Sequence, residues 1–251
     1  MSHVRVAIIT GAGQGIGAGV AKSFAAAGYR VSLMSPSDRS VKLAAELGGL
    51  GRQGSVLDPK DLTALVEETR AVYGRIDAVV NNMGHGSGTP PSVTQSTVFD
   101  PDRFPDPLAL PDETWHEGLD MYVLTVVRMA RTVTPLMVAQ GGGAIVNISS
   151  MNATEPRPGY AQMSVLRAAL HGFTKLYADK YARHGVRMNN VMPGYCENVP
   201  MADTALRSIP MGRTARFDEI GQACVFLASE ASSYVTGQNL LVDGGINRAV
   251  R

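Results

Sequence analysis

The stretch "TGAGQGIG" (10–17) decides the fold of this chain. It follows an apolar run typical of a buried strand, and it opens a segment with helical periodicity, "GIGAGVAKSFAAAG" (15–28). Gly11 permits a tight turn, Gly15 lets backbone N–H groups approach a pyrophosphate, and Gly17 lets the helix pack closely on the strand. The N-terminus of the helix then directs its partial positive charge at the phosphates. In this strand–turn–helix setting, the glycines predict a dinucleotide-binding loop.

The rest of the chain continues the alternation of strand and helix patterns. Short apolar runs mark six candidate strands, at 4–9, 29–34, 75–81, 143–149, 186–192 and 239–243. Segments with helical periodicity lie at 15–28, 59–74, 112–140 and 165–185. Several of the strands are apolar on both faces, as parallel strands covered by helices should be. We therefore predict an α/β fold: a Rossmann-type doubly wound parallel sheet with helices on both faces, forming a single domain over 1–251.

One segment departs from this alternation, "GHGSGTPPSVTQSTVFDPDRFPDPLALP" (84–111), and it follows the carboxyl end of a predicted strand. Loops this long inside a compact domain are usually functional or mobile. A second loop, "VPMADTALRSIPMG" (199–212), carries the apolar residues Met201, Leu206 and Met211. Together the two segments predict a lidded and largely apolar substrate pocket.

Bulk composition argues against several classes of partner. The chain has 251 residues, 45% hydrophobic content and a formal net charge of +1, so charge gives no support for binding to nucleic acid or to an anionic membrane. The spacing of Cys196 and Cys224 fits no metal site and no disulfide framework. We find no secretion signal and no run of about 18 apolar residues, and we expect a soluble cytoplasmic protein without a metal.

Five motifs occur together and in a recognisable order. The first motif is the glycine spacing from Thr10 to Gly17. Four further stretches follow it along the chain: "NNMG" (81–84), "IVNISS" (145–150), "PG" (193–194) and "VTGQNLLVDGG" (235–245). This pattern resembles the short-chain dehydrogenase/reductase family over essentially the whole chain. The resemblance implies a sheet of about seven strands, a nicotinamide cofactor, a small-molecule substrate and commonly a homotetramer.

The resemblance also implies which positions bind the cofactor. They are Gly11, Gln14, Gly15, Ile16, Gly17, Ser35, Ser37, Asn82, Gly84, Arg167, Pro193, Gly194 and Asn198. Asn198 lies where the family usually has a Thr that bonds the nicotinamide carboxamide, and an Asn can make the same bond.

The choice between NAD and NADP depends on the end of the second strand. A carboxylate there would bond the ribose hydroxyls and repel a 2′-phosphate. This chain has the neutral Ser35, and Ser37 and Arg39 can both donate to a phosphate. Against this, Gln14 stands where many NADP-preferring relatives carry a cation, and Asp38 is close unless it caps the next helix. We expect NADP(H) to be preferred over NAD(H).

The catalytic stretch departs from the commonest family pattern. That pattern places a Tyr 13 residues after the Ser and a Lys four residues later. With Ser150 as the serine, those positions hold Met163 and Arg167, and the flanking "AALHGFTK" (168–175) keeps the alignment in register. The enoyl-thioester reductase branch instead uses Tyr-x-x-Met-x-x-x-Lys, and Tyr160 stands at that spacing. Arginine retains the positive charge of the lysine but does not release a proton.

A second phenol is also a candidate for catalysis. Tyr122 occupies the place of the Asn that anchors a water in the proton relay of the family. It can supply the missing phenol, or it can be a packing residue at a subunit interface. If both lie on one helix, Tyr160 and Arg167 share a face, which favours Tyr160 as the proton donor.

Two functions from different classes remain open at this point. The first is an NAD(P)(H)-dependent oxidoreductase that acts on a carbonyl or enoyl substrate, including an acyl thioester. The second is a catalytically impaired cofactor-binding protein with a sensory or structural role.

Overall fold

A computed structural model describes residues 3–83 and 106–249 of the chain. Seven strands form one parallel sheet in the order β3-β2-β1-β4-β5-β6-β7. The strands are β1 (Val6–Thr10), β2 (Arg30–Ser35), β3 (Leu50–Gln53), β4 (Ala78–Asn81), β5 (Gly143–Ile148), β6 (Val186–Pro193) and β7 (Asn239–Val242). The predicted Rossmann-type doubly wound sheet is confirmed.

Helices cover both faces of the sheet. They are α1 (Gly15–Ala26), α2 (Arg39–Glu46), α3 (Pro59–Tyr73), α4 (Asp112–Leu119), α5 (Thr125–Ala139), α6 (Ala161–Tyr181), α7 (Asp203–Leu206) and α8 (Phe217–Ala228). One apolar core lies under α1, α2 and α8, and a second lies under α3, α5 and α6. Each long helix therefore packs one apolar face against the sheet, as the doubly wound arrangement requires.

Several elements differ from the sequence-based expectation. The short strand β3 and helix α8 were not predicted, because β3 is half exposed and has little apolar signal, while α8 has apolar residues on several sides. Helix α6 begins at Ala161 rather than at residue 165. The single helix predicted over 112–140 is divided by a π-helical turn, Asp120–Leu124.

The divided segment is also the one helical region of the described residues that is both long and apolar enough to meet the criteria for a membrane span. Its best window within Asp112–Ala139 has a mean hydropathy of 1.2, and by length and composition it could cross a membrane. The core helix of a globular protein passes the same test, and 44% of this window is buried within the fold. The sequence showed no run of about 18 apolar residues, but this helical region nevertheless meets the criteria for a membrane span.

A ladder of four side-chain amides, three of them buried, joins neighbouring strands from the last residue of β4 to the first residue of β7. Asn81, Asn147, Asn190 and Asn239 are register partners across β4, β5, β6 and β7. Each side-chain N–H donates to the next side-chain carbonyl, over 2.9 Å, 3.0 Å and 2.7 Å in turn. Thr174 of α6 donates to Asn190 at 3.0 Å and ties the helix to the ladder. Because a one-residue slip would leave these amides unpaired, the ladder fixes the register of the strands.

We expect Asn147→Leu to destabilise the fold, because it leaves the buried amide of Asn81 without its partner, while the carbonyl of Asn190 keeps its bond from Thr174. An unsatisfied buried group costs about 1–3 kcal/mol, so the free energy of unfolding should fall by about that amount. Urea unfolding followed by circular dichroism measures this change. Gln238→Leu, which removes an exposed amide, is the matched control and should stay within about 0.5 kcal/mol. Equal losses in the two variants would show that the ladder adds nothing specific.

Candidate active site

The candidate site lies at the carboxyl ends of the central strands. The strand order reverses direction between β1 and β4, and ligands of open α/β sheets bind in the crevice at such a switch point. Strands β1, β4, β5 and β6 end at Thr10, Asn81, Ile148 and Pro193. The segments that leave these four ends hold most of the residues that the sequence assigned to the cofactor and to catalysis.

The glycine loop after β1 is packed too tightly for side chains. A Cβ on Gly11 would lie 2.1 Å from the carbonyl oxygen of Asn82, and a Cβ on Gly17 would lie 2.1 Å from the carbonyl oxygen of Gly11. The Asn82 side chain donates to the Gly11 carbonyl at 3.0 Å, and its backbone N–H donates to the Thr10 hydroxyl at 3.1 Å. Asn82 therefore fastens the loop to the end of β4.

Gly15 is different, because its surroundings are open. Its φ is +57°, in the left-handed region, and a Cβ placed there would find its nearest neighbour in a ring carbon of Phe217, 3.9 Å away. The space in front of Gly15 is where the first helix presents its unpaired N–H groups. The loop thus has a closed side that packs on the fold and an open side that fits a pyrophosphate.

Neutral side chains and one arginine lie at the end of β2, beside this loop. Ser35 is buried, and its hydroxyl donates to the carbonyl of Ser37 at 2.9 Å. The Arg39 guanidinium donates to the side-chain carbonyl of Gln14. A Cβ on Gly13 would lie 2.7 Å from the Ser35 hydroxyl. Gly13, which sequence reasoning missed, therefore lets the glycine loop lie against the end of β2.

The nearby carboxylate of Asp38 is engaged elsewhere. Asp38 stands at the N-cap position of α2 but makes no side-chain cap bond. It pairs with Lys42 at 2.7 Å, and the hydrogen bond and charge of Lys42 lower the pKa of its carboxyl. The alternative that Asp38 caps the helix is wrong.

The serine after β5 lies at the edge of the cleft. Ser150 is half-buried, and its hydroxyl accepts a hydrogen bond from the backbone N–H of Asn152 at 3.2 Å. The hydroxyl of the preceding Ser149 lies 2.7 Å from Nε2 of His171 on α6. His171 is half-buried and anchors this serine segment.

Both candidate phenols belong to one apolar cluster. Tyr122, Met163 and Leu166 are buried together, and Tyr160 packs against them. Tyr160 is the N-cap of α6, with φ −130° and ψ 34°, so it precedes the helix rather than lying on it. The argument from a shared helical face is therefore wrong for Tyr160, although the cluster still brings it next to Met163.

Arg167 is the most unusual residue of the site. It is 2% exposed, and its guanidinium donates to the carbonyls of Ile148 and Met83 at the ends of β5 and β4. Its Cζ lies 4.6 Å from the centroid of the Tyr122 ring. Within 3–83 and 106–249 no carboxylate forms an ion pair with it. Burial lowers the pKa of Arg167 to about 10, an effect that the Tyr122 phenol partly offsets, so the guanidinium is charged at neutral pH.

The π-turn places Tyr122 beside this cation. The backbone N–H of Thr125 donates to the carbonyl of Asp120, five residues back, which widens the helix at this point. Asp120 also pairs with Arg128 at 2.5 Å across the widened turn. Helices α4 and α6 meet closely here, since a Cβ on Gly118 would lie 2.2 Å from the Gln162 side chain.

The remaining predicted cofactor residues are placed as follows. Ile16 is half-buried against the core under α1, and Pro193 ends β6. The backbone N–H of Gly194 donates to Val242 at 3.0 Å, and a Cβ there would lie 2.8 Å from Asp243. Asn198 is exposed in the turn that follows. Gly84 lies outside the described residues, as does most of the segment 84–111.

A second apolar cluster lies between the serine segment and the loop after β6. Its members are Met151, Ile209 and Ile246, with Tyr195, Met201, Leu206 and Leu241 packed against them. Arg157 donates to the Tyr195 hydroxyl at 2.9 Å and so links the two segments. Met201 and Leu206 thus line an apolar surface as predicted, whereas Met211 is 67% exposed.

Comparison with known proteins agrees with this geometry. The family profile described as "Enoyl-(Acyl carrier protein) reductase" matches residues 11–247. The oxidoreductase UcpA of Escherichia coli is 34% identical over 263 residues, covering 96% of this chain and 94% of the relative. The 3-oxoacyl-[acyl-carrier-protein] reductase FabG of Thermotoga maritima is 33% identical over 256 residues, covering 96% and 97%. FabG of Escherichia coli is 29% identical over 252 residues, with the same coverage.

The chain belongs to the short-chain dehydrogenase/reductase family. Our reading of the sequence puts Met163 and Arg167 at the family's usual Tyr and Lys positions and Tyr122 at its usual Asn position. That the catalytic half of the site is altered stays a prediction.

Several buried polar atoms of the catalytic half of the site have no hydrogen-bond partner among the described residues. They are Oδ1 of Asn152, Oγ of Ser164 and Nε of Arg167. Buried polar atoms are normally bonded to protein, water or a ligand. Asn152 and Ser164 were missed by sequence reasoning, because a single Asn or Ser beside a motif carries no signal of its own.

The charge of Arg167 should cost stability. Replacing buried charges by apolar residues of similar volume is often neutral or stabilising by about 1–4 kcal/mol. We expect Arg167→Met to leave the free energy of unfolding of the cofactor-free protein unchanged or raised, while NADPH affinity falls. Urea unfolding at pH 7 and a fluorescence titration measure the two effects. Arg167→Ala is the control that leaves a cavity, and it should be destabilised by about 2–5 kcal/mol.

A large loss of stability in Arg167→Met would contradict this account. It would show that the bonds to Ile148 and Met83 outweigh the cost of burying the charge. Burial lowers the pKa of Arg167 in the folded protein below its ordinary value. Below pH 10 the guanidinium is charged in both the folded and the unfolded protein, so the free-energy cost of burying its charge is present throughout that range.

Proposed function

We propose that this protein is an NADP(H)-dependent oxidoreductase that reduces a carbonyl or a conjugated enoyl group of a small-molecule substrate. The observation that carries the proposal is the buried Arg167 cation, which lies beside a phenol at the carboxyl ends of β4 and β5. A costly unpaired charge at this place supports a catalytic or cofactor-binding role. The names of the matched profile and of FabG favour an acyl thioester as the substrate class.

In this proposal, residues of the chain have the following roles. Gly15 and the N-terminus of α1 bind the pyrophosphate, while Arg167 directs its remaining Nε–H toward the ribose. Ser150 donates a hydrogen bond to the substrate oxygen, and a phenol of the Tyr122–Met163–Tyr160 cluster supplies the proton. The dinucleotide, when bound, supplies the hydride. The apolar surface around Met151 and Ile209 holds the substrate body away from water.

The NADP preference rests on the pocket at the end of β2. Ser35 leaves no carboxylate to repel a 2′-phosphate, and Arg39 is held over the glycine loop by its bond to Gln14. Asp38 is neutralised by Lys42. An arginine can bond a phosphate with two parallel N–H groups, which makes it a good 2′-phosphate ligand.

We expect NADPH to bind at least about tenfold more tightly than NADH, a difference of about 1.4 kcal/mol. Ser35→Asp should reverse the preference, because its carboxylate bonds the ribose and repels the phosphate. Arg39→Ala should weaken NADPH and spare NADH. Titration by intrinsic fluorescence measures the affinities, with Lys180→Ala, at an exposed cation in the last turn of α6, as the control. A tenfold preference of the unmodified protein for NADH would overturn the argument.

The rival function is cofactor binding without turnover. The replacements at Met163 and Arg167 favour it, since the usual phenol and the usual proton-releasing amine are both missing. The two functions separate in one assay: a panel of 3-oxoacyl, enoyl and simple carbonyl substrates with NADPH. Oxidation of NADPH that depends on substrate supports the reductase, and tight cofactor binding with no turnover on any substrate supports the rival.

We further propose a cytoplasmic homotetramer, as is common among relatives. Helix α6 exposes Val165 and Leu176, and α4 exposes Leu119, so apolar side chains remain uncovered on the face away from the sheet. Exposed apolar patches of this kind mark subunit contacts.

Light scattering should give a mass about four times the 26.6 kDa of the chain. Leu176→Glu should lower that mass by opening the contact. Leu57→Glu alters another exposed leucine, in the segment between β3 and α3, and should leave the mass unchanged. A monomer at micromolar concentration would exclude the assembly.

A further inference from the structure

We propose that Tyr122, and not Tyr160, is the proton donor of the reaction, and that Arg167 is the cation that acts with it. This inference rests on the proposed reductase function and deepens it. The sequence alone favoured Tyr160, and the contacts around the two phenols reverse that order.

The first argument is the position of the cation. A phenol that gives up its proton needs a positive charge beside it to stabilise the phenolate. The guanidinium of Arg167 lies over the ring of Tyr122, with 4.6 Å from Cζ to the ring centroid. Tyr122 therefore contacts a buried cation.

The second argument is the backbone at Tyr122. The residue lies in the middle of the π-turn Asp120–Leu124, and such turns occur often at functional sites because they redirect side chains out of the regular helical pattern. The Asp120–Arg128 ion pair and the bond of Thr125 to the Met121 carbonyl at 2.6 Å brace the turn. Tyr122 is therefore held in one direction, as a catalytic acid must be.

The third argument is the contrast with Tyr160. Tyr160 precedes α6 in a non-helical conformation, at the end of a short 3₁₀ turn. It is half-buried and packs on the outside of the cluster, whereas Tyr122 and Met163 are 4% and 7% exposed. Tyr122 touches Met163, the residue that replaces the usual catalytic phenol, and so reaches the same part of the cleft from the opposite helix.

The proposed step is balanced as follows. The reduced dinucleotide, when bound, would supply the hydride that adds to the carbonyl carbon of the substrate, as the π-electron pair of the C=O bond moves to oxygen. The O–H bond of Tyr122 breaks, and its proton passes to that oxygen. With an enoyl substrate, the hydride adds to the β-carbon and the proton passes to the enolate. Arg167 stays protonated beside the phenolate, which regains a proton from water.

Three variants test the assignment with the full-length protein. Tyr122→Phe keeps the ring, and thereby the contact with Arg167, and removes only the hydroxyl. Tyr160→Phe is the matched phenol control, and Met163→Leu controls for changes in the packing of the cluster. For each variant we would measure kcat and KM with the substrate that the unmodified protein turns over, the Kd of NADPH, the solvent deuterium isotope effect and the thermal midpoint.

We expect Tyr122→Phe to lower kcat by about 10²-fold or more, the usual scale for loss of a positioned acid. The Kd of NADPH and the thermal midpoint should change little, and the solvent isotope effect should change because water replaces the phenol. Tyr160→Phe and Met163→Leu should keep kcat within about tenfold.

Each other outcome overturns the assignment. If Tyr122→Phe keeps its kcat while Tyr160→Phe loses it, the donor is Tyr160 and the reductase function stands. If both variants keep kcat, no phenol of the cluster is the acid, and the reductase function again stands. If the unmodified protein binds NADPH but turns over no substrate, the reductase function fails and the assignment fails with it.

Discussion

The amide ladder through Asn147 is the interaction on which the rest of the structure depends. It holds β4, β5, β6 and β7 in register, and Thr174 connects the ladder to helix α6. The carbonyl of Ile148, which accepts from Arg167, follows directly after the ladder on β5. A shift of β4 or β5 by one residue would displace the carbonyl of Met83 or of Ile148 from Arg167. The polar core of the sheet is thus also the support of the site.

Next to the ladder lies the positive charge of Arg167, and a contribution to the stability of the fold does not explain why it is there. Arg167 is buried without a carboxylate partner in the part of the chain that the structure describes, and burial lowers its pKa to about 10. A cation in such a place costs free energy, and proteins retain such costs where function requires them. The site holds its cation with two backbone carbonyls and one aromatic ring, which keeps the charge available to a ligand.

Much of the fold could be predicted from sequence, because parallel strands and amphipathic helices leave periodic patterns. The glycine loop was predictable for the same reason: Gly11, Gly15 and Gly17 are each required by local geometry. Contacts between distant segments leave no such pattern. The stacking of Arg167 on Tyr122, the π-turn and the bond between Ser149 and His171 follow from how helices pack. The helical-face argument for Tyr160 failed on a single feature, the residue at which α6 begins.

The most direct test of this account is a crystal structure of the protein with NADPH bound. We predict that the Tyr122 hydroxyl faces the substrate side of the nicotinamide C4 and that Nε of Arg167 faces the ribose hydroxyls. The glycine loop should hold the pyrophosphate at Gly15. A complex in which the Tyr160 hydroxyl faces C4, while Tyr122 points away and Arg167 contacts no part of the cofactor, would contradict the account.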